Sequence, residues 1–290
     1  MLVRLWHLQA EVLPRMRSEN RTGGLFTMSV EANHSLNDNN QDGFIKIISE
    51  MTNRYQIWEI WVDFIALTAI SCSQQFDFRK EREERYLAIA SKYDSEEMNS
   101  FSRLFTLVMD GYEQNREQDM LGRIYMKLNL GSHWTGQFFT PYRVCQAVSG
   151  ISSDNAVRLI QKKGYVTMLD SASGAGAILI SMANSIQRLL AAGGSHLKLQ
   201  DHVLVVAQDL SENTALMCYI QLSLLGIAAI IYIGDSLEEP YRFDPLCTPP
   251  ADNIWFTPMY FSNVWNGRRK VRMITRITNA GRNNNGRKVL

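Results

Sequence analysis

Cysteine is scarce in this sequence and never closely spaced. Cys72, Cys145, Cys218 and Cys247 form no CxxC pair, which argues against a disulfide framework or a cysteine zinc site and points to a reducing cytosol. The five histidines, His7, His34, His133, His196 and His202, have no metal-ligand spacing, so no metal is expected. Long apolar runs are missing too. The longest largely apolar stretch, 222–233, is broken by Gly226 and falls far short of the ~20 residues that span a bilayer. The opening MLVRLWHLQAEVLPR mixes charges and has no small-residue cleavage site, so no secretory signal is expected. No GxxxxGK[ST] occurs, which removes a P-loop. The expectation is a cytoplasmic protein with no membrane attachment.

What is present is an ordinary globular balance. Hydrophobic residues make up 46% and charged residues 20% of 290, which excludes global disorder and suits one large domain or a core with a smaller lobe. The net charge of +1 hides an asymmetry. Residues 266–290 carry eight basic side chains (Arg268, Arg269, Lys270, Arg272, Arg276, Arg282, Arg287 and Lys288) and no acid, so the remainder is net −7. A basic end on an acidic body is either an electrostatic footprint for nucleic acid or a frayed, solvated tail. The stretch NAGRNNNGRK (279–288) reads as disordered.

Four regions follow from the patterning. Residues 1–43 lack sustained periodicity and end in polar HSLNDNNQDG; they read as a mobile extension. Residues 44–131 read as a helical lobe. Ile57, Ile60, Trp61, Phe64, Ile65 and Thr68 recur at helical spacing, as do Tyr86, Ile89 and Ala90, with further helices over 97–112 and 119–129. The FRKEREER run is a solvated helix face. Trp58, Trp61 and Phe64 read as helical core.

From 132 to 265 the pattern is βα. HWTGQFFTP is a loop whose end is extended before Pro141, and a short helix follows over 142–149. Strands are expected at 165–170 (YVTMLD), 203–208 (VLVVAQ) and 229–233, with helices over 177–192 and 211–225, the second capped by Ser211. Alternating β and α with nearly all-apolar strands predicts an α/β fold, a Rossmann-like parallel sheet covered by helices on both faces. Residues 266–290 form the basic tail.

The candidate chemistry lies at the strand ends. Asp170-Ser-Ala-Ser-Gly174-Ala-Gly176 closes the first strand and opens a helix, where glycines let the backbone turn and approach a ligand. A dinucleotide fingerprint needs a third glycine where Leu179 stands. DxxxGxG suits instead a methyl-donor nucleoside with no phosphate, Asp170 ordering the loop and meeting an ammonium group. Asp209, ending the second strand, is placed to accept from both ribose hydroxyls, or to cap the next helix. Asp235, after the third, is placed to bond an adenine amino group. The three acids converge on one edge of the sheet.

These residues bring a resemblance into view. DMLGRIYMKLNLG (119–131), GQFFTP (136–141), LDSASGAGAILI (169–180), AQDL (207–210) and GDSL (234–237) resemble the adenine-specific N6 DNA methylases, the modification subunits of type I restriction systems and small plasmid- or phage-borne relatives. The resemblance runs over about 54–269. It implies a methyltransferase core that takes S-adenosylmethionine, with Gln137, Phe138, Phe139, Thr140 and Pro141 in the cofactor pocket and DNA as partner. The glycine motif departs from the family form D-P-x-C-G-x-G at Ser171 and Ser173, where backbone contacts survive.

The larger departure concerns catalysis. The family's [DN]PP[YF] accepts hydrogen bonds from the target amino group and stacks on the extruded base. Here the best alignment, after strand-like NIWF, is Thr257-Pro258-Met259-Tyr260. Thr257 Oγ and the Pro258 carbonyl would then be the acceptors and Tyr260 the stacking ring. Thr248-Pro249-Pro250 is a poorer candidate, with no aromatic after it. Trp255, Phe256, Tyr260, Phe261 and Trp265 fit base stacking and core packing equally well. About thirty residues follow Tyr260, so the core is expected to be truncated and to borrow target recognition from a separate specificity subunit. Two activities fit: an adenine-N6 DNA methyltransferase with a degenerate motif, or a non-catalytic binding protein serving as partner or decoy in a restriction–modification system. Methylation of RNA or protein glutamine is a weaker third.

Overall fold

A computed structural model describes the backbone of residues 30–131 and 139–285 and the side chains between 39 and 279 within them. The order is α1 (Val30–Met51), α2 (Ile57–Ser73), α3 (Lys80–Ala90), α4 (Ser95–Gln114), α5 (Met120–Lys127), α6 (Tyr142–Lys163), β1 (Val166–Asp170), α7 (Ala177–Ala192), α8 (Leu199–His202), β2 (Val203–Asp209), α9 (Glu212–Leu224), β3 (Ala228–Ile233), β4 (Ile254–Phe256) and α10 (Asn263–Asn285). The fold is α/β.

The sheet runs β1-β2-β3-β4. The first three strands are parallel, with Asp170 opposite Ala207 and Asp209 opposite Ile233. β4 departs from the expected parallel sheet: it pairs antiparallel, with Phe256 opposite Ile230 and Ile254 opposite Tyr232. Side chains two apart share a face. Val203, Val205, Ala207, Ala229, Ile231 and Trp255 therefore join one core with residues of α7 and α9. Leu204, Val206, Ala228, Ile230, Ile254 and Phe256 join a second core, closed by Leu246, Tyr260 and Trp265. That second face is covered by short turns and the start of α10, where full helices were expected. The cover stops short of β1, whose Leu169 is 58% exposed.

The first core does not end at the sheet. It continues through Leu216 and Tyr219 of α9 into Trp61, Phe64, Leu104, Leu121 and Tyr125 of the helical lobe. Arg82 makes a second joint. It is buried, donates to Asp77 Oδ2 at 3.0 Å and to the Ile254 carbonyl at 2.8 Å, and lies 3.5 Å over the Trp255 ring. The charged run is thus exposed at Lys80, Glu81 and Glu84, half-buried at Arg79, Glu83 and Arg85, and buried at Arg82. Trp61 and Phe64 are core as expected, while Trp58 is 40% exposed.

Three other expectations need correction. Helix α1 starts at Val30, inside the stretch read as a mobile extension; residues 1–29 lie outside the described residues. Helix α6 runs 22 residues, well past Ser149. Ser149 and Ser153 donate to the carbonyls of Cys145 and Ser149, turning polar side chains back onto the helix, and Gly164 ends it at φ 81°. The basic end is helical to Asn285. Much of its charge is engaged: Arg268 donates to the Gly164 carbonyl at 2.9 Å, Arg269 to the Tyr260 carbonyl at 2.6 Å, and Arg272 pairs with Asp244 at 2.6 Å.

Candidate functional site

A parallel sheet places the open ends of its βα turns along one edge, where ligands of α/β folds bind. Asp170, Asp209 and Asp235 stand along this edge, at or just past the ends of β1, β2 and β3. The turn after β1 is held by the Asp170 side chain, by its own backbone and by β2. Asp170 Oδ1 accepts from Ala172 N at 3.1 Å, Ser173 N donates to the Gln208 carbonyl at 2.9 Å, and Gly176 N donates to the Ser173 carbonyl at 2.8 Å.

Both glycines are required. Gly174 has φ 52°, and a Cβ there would sit 3.2 Å from the Phe139 ring; Gly176 has φ 91°, and a Cβ would meet Cys218 Sγ at 2.7 Å. Such backbone favours glycine. The same contact places Phe139 against the turn, 5.1 Å from the Tyr125 ring. Thr140 and Pro141 are exposed beside it, and Pro141 caps α6. Gln137 and Phe138 lie outside the described residues.

Asp209 caps the start of α9, one of the two roles expected of it, and also reaches the glycine turn. Its Oδ2 accepts from Gly174 N at 2.8 Å; its Oδ1 accepts from Ser211 N at 2.9 Å and Thr214 Oγ1 at 2.8 Å. A carboxylate offers about four acceptor sites, so about one remains, too few for a two-hydroxyl grip. Asp209 is first a brace that ties the glycine turn to the start of α9. Asp235 Oδ1 accepts from Leu237 N at 2.8 Å. Burial pushes the Asp170 carboxyl above its usual range, the Ala172 N–H opposes that, and the nearby Asp209 charge adds to it.

Sequence reasoning missed several neighbours. Leu210 and Leu237 follow the strand-end acids and are 70% and 91% exposed, apolar walls at a polar edge. The signal was present in AQDL and GDSL. Gln208, buried, donates to the Gly234 and Glu239 carbonyls at 3.2 and 2.9 Å and accepts from Tyr241 N at 3.0 Å, fixing the loop after β3. Among the described residues no group of acidic, cysteine and histidine side chains is arranged to hold a metal. No helix of the described residues is long and apolar enough to cross a membrane.

Thr257, Pro258 and Tyr260 are not brought to this edge. β4 runs backwards, so Thr257 stands beside Ala229, near the amino end of β3. That is four residues, about 13 Å, from the level of Asp209 and three strand spacings, about 14 Å, across from β1. Thr257 is fully buried; its Oγ1 donates to the Ile227 carbonyl at 2.8 Å and accepts from Ala229 N at 2.8 Å. Pro258 opens a single 3-10 turn. Tyr260 stacks on Phe256 at 4.6 Å with the Arg269 guanidinium 4.0 Å over its ring. The catalytic assignment of these three is therefore corrected: Tyr260 closes the second core, and Thr257 ties the end of β4 to β3. Phe256 and Trp265 are buried with Tyr260, and Trp255 is buried in the first core on the other face of the sheet.

The profile of a family described as N-6 DNA methylase matches residues 116–287. No curated protein matches. Among solved structures, a candidate class I S-adenosylmethionine-dependent methyltransferase from Listeria monocytogenes is similar at 16% identity and a TM-score of 0.40, over 77% of this chain and 57% of that one. The chain thus spans little more than half of that protein's length.

Proposed function

Because the chain belongs to the N-6 DNA methylase family, we propose that it binds S-adenosylmethionine along the carboxyl edge of its sheet, for methyl transfer to adenine N6 in DNA. The observation that carries the reading is the glycine turn held open by Asp209, with Phe139 against it and acids at all three strand ends. The carboxylates of Asp170 and Asp235 suit the ammonium and amino groups of such a ligand, and Leu210 and Leu237 suit the faces of its flat ring. Gln137, Phe138, Thr140 and Pro141 complete the pocket in this reading. Methyl transfer would supply the chemistry once the ligand is bound. This chain's residues bind and orient the ligand.

Calorimetry with S-adenosylmethionine and with its demethylated product tests binding, and folded protein that gives no heat with either rejects it. Asp235→Ala should weaken binding about tenfold if its carboxylate holds one charge-assisted hydrogen bond. A second reading is favoured by the burial of Thr257 at the far end of β3: a methyltransferase-fold binding protein that works as a partner or decoy in restriction–modification. In either case a separate specificity subunit would supply target recognition. Labelled-methyl transfer to unmethylated DNA, with the chain alone and with such a subunit, separates the two.

A further inference from the structure

One heavily used polar side chain of the interior lies in neither the glycine turn nor the strand ends. Gln221, in the last turn of α9, is fully buried. Its Nε2 donates to the Ala175 carbonyl at 2.6 Å and to Asp119 Oδ1 at 2.9 Å. Its Oε1 accepts from Leu121 N at 2.9 Å and from the Tyr112 hydroxyl. A carboxamide has two donor hydrogens and two acceptor lone pairs, so all four are used.

The partners come from three places. Ala175 is the peptide between the two glycines of the turn. Asp119 caps α5, accepting from Gly122 N at 2.9 Å, and Leu121 is in its first turn. Tyr112 is on α4. One amide thus joins the turn after β1 to two helices of the lobe, with Leu121 lying 100 residues before Gln221 in sequence. Buried networks of this kind are costly when partly satisfied, so a shift of the Ala175 carbonyl is felt at Leu121 and Tyr112.

We infer that Gln221 is a positioning residue: it sets the Ala175 peptide for the ligand and makes the order of the lobe around 112–122 respond to occupancy of the glycine turn. The inference rests on the cofactor reading above. Amide hydrogen exchange of the full chain, resolved by residue with and without S-adenosylmethionine, tests it. In the parent, the ligand should slow exchange at 174–176 and also at Leu121 and Gly122. In Gln221→Met, which keeps the volume and removes the polar atoms, the response at 174–176 persists, the response at Leu121 and Gly122 disappears, and affinity falls about tenfold. Tyr112→Phe removes one bond at the lobe end alone and should shrink the Leu121 response, which keeps the test open if Gln221→Met does not fold. A parent that binds the ligand with no change at Leu121 overturns the inference, as does an unchanged response in Gln221→Met. A parent that binds no ligand overturns the cofactor reading and this inference with it.

Discussion

Gly176 has room for a hydrogen and nothing larger. Gly176→Ala combines a left-handed backbone, worth about 1–2 kcal/mol, with a 2.7 Å approach to Cys218 Sγ. Adding Cys218→Ala removes the collision and leaves the backbone strain, so urea unfolding should show Gly176→Ala partly rescued in the double variant. The Asp119 carboxyl offers a second test at this scale. Burial raises its proton affinity above the usual carboxylate range, against the hydrogen bonds from Gln221 and Gly122 and the charge of Arg123. A raised folded value means that ionisation costs stability: the loss begins as pH rises past the unfolded value, near 3.8, and is complete above the folded one. Thermal melts of Asp119→Asn against the parent should therefore show the variant gaining as pH rises through that window. The glycines and Asp170 were legible in the sequence because their work is done within six residues. The bracing role of Asp209 was not, since its partner Gly174 N lies 35 residues away.

Among the elements, β4 is the one whose direction decides a functional claim. Thr257 holds this strand to β3 through its hydroxyl. Thr257→Val should cost about 1–3 kcal/mol by leaving the buried Ala229 N and Ile227 carbonyl short of a partner, read as a lower denaturation midpoint. Binding of S-adenosylmethionine should be unchanged, since the residue lies at the other end of β3. β1 to β3 and the helices between them could be read from their apolar patterning, because each is long enough to carry a period. A three-residue strand carries no information on its direction, so the sequence does not show which end of the sheet the TPMY segment reaches. The length of α6 is hidden for a related reason: Ser149-Gly-Ile-Ser-Ser reads as a break, and the serine back-bonding accounts for the helix continuing through it.

At the scale of the molecule, the lobe and the sheet are separate in the sequence and joined in space. Their shared core predicts one cooperative unfolding transition, with far- and near-ultraviolet dichroism changing together. Arg82→Met should lower the stability of that single unit by about 1–3 kcal/mol, because it leaves the buried Ile254 carbonyl and Asp77 Oδ2 short of a donor while Arg79 still pairs with Asp77 Oδ1. Two resolved transitions in the parent would contradict the shared core. A charge run on a helix gave no sign of which arginine would be buried; that depends on Trp255, far along the chain, arriving beneath it.

The brace between Asp209 and the glycine turn bears on kinetics. A turn already fixed by Asp209, Gln208 and Ser173 needs no folding step when a ligand arrives, so little ordering entropy is lost there. Association should then be a single fast phase whose rate scales with ligand concentration, without the plateau that a slow rearrangement imposes. Differences in affinity among variants of the strand-end acids should consequently be carried by how long the ligand stays.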